Sequence, residues 1–342
     1  MNPEYSEKKN YALYEKQLKI IEKKIAGVMR NKKPASLYEP CNYILQGGGK
    51  RLRPFLVLIS AKAVGAEFKS AYNGALAVEL LHNFTLVHDD IMDNADKRRS
   101  RPTLHIKYDT NTAILAGDSL AAVAYHYLLK DCIDNDKRIM EIFTTGLIEV
   151  CEGQSLDKEF ETKKNVSIKE YKIMIYKKTA ALIEACCAIG GEIGKGSKKE
   201  IKSLREYGKN LGMAFQINDD LLDLIGDESE FGKSVGGDLA EGKKTYLFLR
   251  AMEKAKGKDK KELQKLVQNK GLENRIQKNK TKLQSEIKKY RKIYNDLGVF
   301  EDTKKEVLNY TKKALKALEE IKNREAQDSL IWLANVLLKR NK

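Results

Sequence analysis

Residues 80–93 read Leu-Leu-His-Asn-Phe-Thr-Leu-Val-His-Asp-Asp-Ile-Met-Asp, and the fold class follows from how apolar side chains recur through them. Leu76, Leu80, Phe84, Val87 and Ile91 are spaced three and four apart, the interval that lines one face of an α-helix. The stripe runs straight into Asp89, Asp90 and Asp93. The first and last of these lie four residues apart, so on a helix they share a face with Cβ atoms about 5–6 Å apart. Like charges at that spacing destabilise an isolated helix by about 0.2–0.5 kcal/mol. A third acid sharpens the conflict, so something positive should compensate.

The same DDxxD pattern returns at Asp219, Asp220 and Asp223, again after apolar helical sequence that includes Leu211, Phe215 and Ile217. Two carboxylate clusters in matching contexts predict acids that end half-buried helices and point into a cavity. Ligands of this all-oxygen type suit Mg²⁺, which keeps several waters and bridges a few carboxylates to substrate phosphates. The bland alternative is a pair of chance acidic runs on exposed helix ends. Repetition of the whole pattern favours the metal.

Outward from these clusters the chain keeps a helical character. Its five prolines stand at positions 3, 34, 40, 54 and 102, so none follows Pro102. Proline costs about 3 kcal/mol in a helix interior, and alternating Val/Ile/Thr runs bounded by hairpin turns are missing. The spacing predicts helices near 5–29, 36–46, 52–65, 70–94, 111–131, 138–161, 168–191, 199–224 and 243–256, with more in the Lys-rich remainder. Breaks are expected at Gly47-Gly48-Gly49, at Ser100 to Thr103, at Gly190-Gly191 and across Gly226 to Gly242. No linker is rich enough in Pro, Gly or Ser to mark a boundary, which predicts a single all-α domain over 1–342.

Lys plus Arg number 64 and Asp plus Glu 48, a formal charge of +16, which favours anionic partners. Much of the excess lies in runs such as Lys254 to Lys261, where acids are interspersed as on a solvated helix. Without interleaved aromatics or a recognisable motif, these runs predict no nucleic-acid partner. No apolar run approaches the roughly 18 residues of a membrane span, and Met1 to Asn10 is polar with no signal core, so a cytoplasmic protein is expected. Five cysteines, 41, 132, 151, 186 and 187, lack paired metal spacing; Cys186 and Cys187 read as small core residues.

Cations supply the other half of the constellation. Gly47-Gly48-Gly49-Lys50-Arg51-Leu52-Arg53-Pro54 is a glycine turn followed by three cations, able to wrap a diphosphate with backbone N–H groups and charged forks. It does not match the P-loop pattern. Lys97, Arg98 and Arg99 follow the first aspartate cluster, and Lys178-Thr179, Lys233 and Lys243-Lys244-Thr245 add more. Taken singly, each is more often a surface charge.

Together, GGGKRLRP, LVHDDIMD with its following arginines, KTAAL, FQINDDLLD and GK…EGKKT resemble, in order, the motifs of the trans-polyprenyl diphosphate synthase family, most clearly over residues 40–250. That resemblance implies a bundle of long helices around one central cavity, with the two aspartate clusters on facing walls. It implies joining of an allylic diphosphate (dimethylallyl, geranyl or farnesyl) to isopentenyl diphosphate, with Mg²⁺ as cofactor, and a homodimer. By the same resemblance Asp89, Asp90, Asp93, Asp219, Asp220 and Asp223 hold the metal ions. Lys50, Arg53, His82 and Arg99 fall in the isopentenyl diphosphate site, and Arg98, Lys178, Lys233 and Lys243 in the allylic one. Thr179 and Gln216 fall beside the nascent cation, and Gln154 and Asp157 match a pocket-lining Gln-x-x-Asp. His105 matches the family without an assigned chemistry.

Product length is set in this family partly by residues four and five before the first aspartate, about 6–7.5 Å along the helix. Here these are Thr85 and Phe84. One bulky side chain with a small neighbour, and no two-residue insertion in the first cluster, resemble archaeal geranylgeranyl diphosphate synthases, with a farnesyl or multi-product enzyme as the alternative. Ser100 stands where the family often has Gly, and after Arg250 the Lys-rich sequence no longer follows the family in detail. A terpene cyclase of similar fold would lack the isopentenyl-binding cations. A non-catalytic binding protein would have no use for intact metal ligands.

Overall fold

The computed structural model describes residues 3–131, 136–226, 236–268, 272 and 280–338. It is helical almost throughout: α1 (Pro3–Val28), α2 (Ala35–Leu45), α3 (Leu52–Ala63), α4 (Tyr72–Met92), α5 (Leu104–Lys107), α6 (Thr110–Leu128), α7 (Asp136–Thr162) and α8 (Ile168–Ile175). A π-helical turn (Tyr176–Ala180) joins α8 to α9 (Ala181–Ile193). Then follow α10 (Lys198–Ile225), α11 (Gly237–Glu241), α12 (Tyr246–Lys254), α13 (Gly257–Gln268), α14 (Lys280–Asp296), α15 (Val299–Ala317) and α16 (Arg324–Leu338). The chain forms two compact units, one of Met1–Leu147, Ile183–Gly208 and Leu315–Ala334, the other of Ile148–Leu182, Lys209–Ala314 and Asn335–Lys342.

In the first unit α3 is apolar on every side and buried from Pro54 to Ala61, as expected of a helix at the centre of a packed layer. The predicted stripe of α4 holds: Leu76, Leu80 and Val87 are inaccessible to solvent or nearly so. Against α4 lies α6, whose Ala113, Ala116, Gly117, Leu120, Ala124 and Leu128 form a buried line of mostly small residues. Asp109 starts α6 by accepting the Thr112 N–H at 2.9 Å, an N-cap that satisfies one orphan donor of the first turn.

Two expectations are corrected here. Gly190-Gly191 does not break the chain, since α9 runs on to Ile193. A Cβ on Gly190 would lie 2.2 Å from the Val57 carbonyl, so glycine serves close helix packing, which outweighs its poor helix propensity. Residues 97–102 also contain strands, β1 (Lys97–Arg98) and β2 (Arg101–Pro102), paired antiparallel with Arg98 opposite Arg101. The two-residue loop puts Arg99 at φ 51° and Ser100 at φ 62°, the doubly left-handed turn that suits strand twist. It also explains why glycine would be at home at position 100.

The second unit is built on Tyr171, Met174, Met213, Ile217, Leu221, Leu247, Phe248, Tyr290 and Tyr294, among others. A capping box opens α8, Ser167 and Glu170 each bonding the other's backbone N–H. The Lys-rich helices are amphipathic: α13 buries Leu263 and Leu266 while Lys258, Lys260 and Lys261 stay exposed, the solvated face that the interspersed charges predict. Cys41, Cys186 and Cys187 are buried free thiols; Cys132 lies outside the described residues. Among the described residues no helix is long and apolar enough to cross a membrane.

Candidate active site

In the first unit α4 delivers the first cluster at its C-terminal end. Asp93 is the C-cap, and Asn94 at φ 49° turns the chain so that the N–H groups of Ala95 and Asn94 donate to the carbonyls of Asp90 (2.9 Å) and Ile91 (3.2 Å). This paired closure satisfies carbonyls that the helix end would otherwise leave open. It also redirects the chain into the 97–102 hairpin, fastened by Thr103, whose hydroxyl donates to the Ala95 carbonyl at 2.7 Å.

The hairpin supplies the positive charge that the crowded acids require. Arg98 Nε donates to both oxygens of Asp90, at 2.8 and 3.0 Å, and Nη2 lies 2.8 Å from Oδ1. Asp90 is 2% exposed. A fork of this geometry is among the stronger side-chain pairings. Asp89 is half-buried and Asp93 exposed.

A basic cluster forms around the glycine turn. Gly48 and Gly49 take φ values of 70° and 134°, and a Cβ on Gly49 would come within 2.8 Å of the Arg99 guanidinium. Glycine therefore lets Arg99 rest on the turn, where it donates to the Gly48 carbonyl. Arg53 Nη1 lies 3.1 Å from His82 Nε2. Burial, and then Arg53, Arg99, Arg98 and Arg51, hold the His82 pKa well below its usual value, so the ring is neutral and Nε2 accepts from Arg53. Lys50 is exposed, its carbonyl accepting from the Tyr14 hydroxyl. The second cation of GGGKRLRP departs from the reading as a diphosphate ligand: Arg51 is 4% exposed and bonded to Glu22 and Glu79.

Upstream on α4, Phe84 and Thr85 are half-buried. The Phe84 ring meets that of His88 edge-on, centroids 4.7 Å apart, and Thr85 Oγ1 donates to the His82 carbonyl at 2.8 Å.

The second unit holds the other cluster in the last turns of α10. Asp220 is 5% exposed and accepts from the Tyr171 hydroxyl at 2.5 Å and from Gln216 Nε2 at 3.0 Å. Thr179 Oγ1 donates to Gln216 Oε1 at 2.8 Å, which fixes the amide orientation and links the polar pair to the acid. Thr179 and Lys178 sit on the π-helical turn, a local widening common at functional sites. A Cβ on Gly153 of α7 would lie 2.2 Å from the Lys178 nitrogen, so glycine there makes room for it. Lys178 Nζ is 2.5 Å from Asp157 Oδ2, and Gln154 is buried nearby in sequence.

Asp223 accepts the Asp238 N–H at 3.1 Å. Burial and the Asp238 carboxylate raise the Asp220 pKa to about 8 and that of Asp223 to about 6. Lys243 lies 3.4 Å from Asp238 and 2.8 Å from Glu241. Burial alone would lower its pKa, but these acids raise it. Lys233 lies outside the described residues. Among the described residues no three His, Cys, Asp or Glu side chains form a ready-made metal cage. The donor set still fits a hard divalent cation, because buried carboxylates that repel one another are relieved by a positive ion bound through oxygen.

Sequence reasoning missed Asp238 and Tyr171. The first was the acid of Gly236-Gly237-Asp238 within an expected break, a signal available but unweighted. The second is a lone tyrosine on an amphipathic helix and carried no signal.

The chain matches the polyprenyl synthetase family over residues 34–286. It is 40% identical over 314 residues to the geranylgeranyl diphosphate synthase of Saccharolobus solfataricus, covering 90% of this chain and 91% of that one. It is 37% identical over 309 residues to a short chain isoprenyl diphosphate synthase of Methanothermobacter thermautotrophicus, covering 90% and 91%. The crystal structure of geranylgeranyl pyrophosphate synthetase from Pyrococcus horikoshii superposes with a TM-score of 0.89 at 37% identity, covering 97% of this chain and 98% of that one. With the family's motifs in order, an all-α fold shared with its solved members and relatives matched nearly end to end, this chain belongs to the polyprenyl synthetase family.

Proposed function

We propose that this chain condenses isopentenyl diphosphate with an allylic diphosphate, with geranylgeranyl diphosphate as its principal product. The observation that carries this reading is the basic cluster of the first unit, where Arg53 meets His82 and Arg99 rests on the Gly48-Gly49 turn next to Lys50. A terpene cyclase takes one diphosphate and needs no such second anion site.

In this reading Lys50, Arg53, His82 and Arg99 bind the isopentenyl diphosphate, while Arg98, Lys178, Lys233 and Lys243 grip the allylic diphosphate. The allylic C–O bond breaks heterolytically and its electrons leave with diphosphate. The isopentenyl double bond then attacks the allylic carbon, forming the new C–C bond, and the proton lost from the adduct passes to the departed diphosphate. Preorganised cations stabilise the charge that develops on the leaving group. Thr179 and Gln216 present polar oxygens beside the nascent cation, and their mutual hydrogen bond holds them there. Mg²⁺ bound by Asp89, Asp90, Asp93, Asp219, Asp220 and Asp223 supplies Lewis-acid neutralisation of the diphosphate oxygens.

Phe84 and Thr85 set the depth available to the growing chain, and relatives named geranylgeranyl diphosphate synthases support the length assigned. The reading includes a single catalytic domain over 1–342, a cytoplasmic location and a homodimer. Ile114 and Leu115 of α6, 40% and 60% exposed, offer an apolar face for the second copy.

The test is incubation with Mg²⁺, isopentenyl diphosphate and, in turn, dimethylallyl, geranyl and farnesyl diphosphate, with products sized by chromatography. A C20 diphosphate from farnesyl diphosphate, lost with excess EDTA and restored by Mg²⁺, is expected. No elongation of any primer overturns the function, and a C15 end product overturns the assigned length.

A further inference from the structure

We propose that Arg51, held by Glu79 and Glu22, is a positioning residue that shapes the isopentenyl diphosphate site without touching substrate. The inference rests on the assignment of Lys50, Arg53, His82 and Arg99 to that substrate.

One guanidinium joins three helices to one loop. Arg51 Nη1 donates to Glu79 Oε1 on α4 at 2.6 Å, Nε to Glu22 Oε1 on α1 at 2.7 Å, and Nη2 to the Leu45 carbonyl at the end of α2 at 2.7 Å. Asn83, one turn beyond Glu79, donates to its carboxylate at 3.2 Å and to its carbonyl at 2.8 Å. Arg51 sits at φ 44° and ψ 42°, left-handed, as the N-cap of α3. A non-glycine residue persists in that conformation only where its surroundings over-determine it, and here its own side chain does so.

The consequence is geometric. The backbone that Arg51 pins carries Lys50 on one side and Arg53 two residues on, while Glu79 lies three residues before His82 on α4. The clamp therefore fixes α3 and its glycine turn against the helix that bears His82, and sets the Arg53–His82 contact at 3.1 Å. Its charge does not serve the anion. Glu79 is 3% and Arg51 1% exposed at their side chains, so the positive charge is spent inside the protein. The attraction for diphosphate falls to Lys50, Arg53 and Arg99.

Glu79→Gln separates positioning from direct binding by sign. It keeps the shape and removes the negative partner. A positioning role predicts a KM for isopentenyl diphosphate raised about 10-fold or more, since small misplacements of binding groups are costly, with kcat and the KM for farnesyl diphosphate within about 2-fold. Were Arg51 a substrate ligand, releasing it would lower that KM. Arg51→Lys keeps the charge, loses the fork, and should raise the same KM. Glu22→Gln, at the more exposed end, should fold in any event and raise it less. Circular dichroism and melting confirm the fold. An unchanged or lowered isopentenyl KM in the folded variants, or an equal rise for both substrates, overturns the inference. A wild-type protein that elongates nothing overturns the functional reading instead.

Discussion

Two identical motifs sit in opposite electrostatic surroundings. In the first unit, the middle aspartate of the cluster, Asp90, is gripped by the two-pronged Arg98. In the second, its counterpart Asp220 accepts from neutral donors, Tyr171, Gln216 and the Tyr246 N–H, and burial together with the Asp238 charge raises its pKa to about 8. The buried acid of the first cluster is forked directly by a cation, whereas in the second Lys243 lies against Asp238, the acid that repels Asp220. A sequence pattern fixes the ligands offered, while the burial and neighbours of each carboxylate decide how strongly it calls for a positive ion.

The largest effect should come from removing one proposed metal-binding acid from either cluster. Asp89→Ala and Asp219→Ala should each lower kcat by about 10³-fold or more, the consequence of losing several kcal/mol of charge stabilisation, with helix content by circular dichroism nearly unchanged. A fully active variant of either kind would break the idea that both clusters serve one reaction. Next, Phe84→Ala should lengthen the product by at least one C5 unit, read by chromatography, because truncation deepens the space before the first cluster. An unchanged product would overturn the proposed role of Phe84 in setting product length.

Stability tests the contrast itself. Without divalent ions at pH 8, Asp90→Asn should lower Tm by about 2 °C or more, having lost charge-assisted bonds whose worth is trimmed by the 31% exposure of Arg98. Asp220→Asn should raise Tm, since it removes a repelled, buried charge. The sign has a pH signature. An ordinary aspartate releases its proton near 3.8, whereas folded Asp220 keeps it to about 8. Between those values the folded state binds more protons, so its contribution to stability falls as pH rises. Mg²⁺ should reverse that fall. Matching signs for the two substitutions would erase the difference drawn here.

The smallest effect belongs to the hairpin. Ser100→Gly should raise Tm by about 1–2 °C, as relief of a left-handed non-glycine residue slightly exceeds the entropy cost of glycine. A lower Tm would mean that the serine makes a contact worth more than the strain.

Much of this molecule is legible in local pattern. The stripe Leu76 to Ile91 and the absence of proline after Pro102 mark helices whose bounds agree with the structure within a few residues. Helix formation depends on neighbours three and four apart, which sequence displays directly. The roles of Gly190 and Arg51 were not legible, because each is defined by a partner distant in the chain: Val57 for the glycine, Glu22 and Glu79 for the arginine. Read locally, one is a helix breaker and the other a free cation.

By itself the sequence determined the all-helical class, the two acid-tipped helices and the order of the cationic motifs, since periodicity and residue chemistry are local properties. Tertiary structure decided which charges are already neutralised within the protein, Asp90 by Arg98 and Arg51 by Glu79, and which, like Asp220, are left under repulsion. Charge balance in a buried site depends on distances of a few ångströms between segments far apart along the chain, and only folding sets those distances.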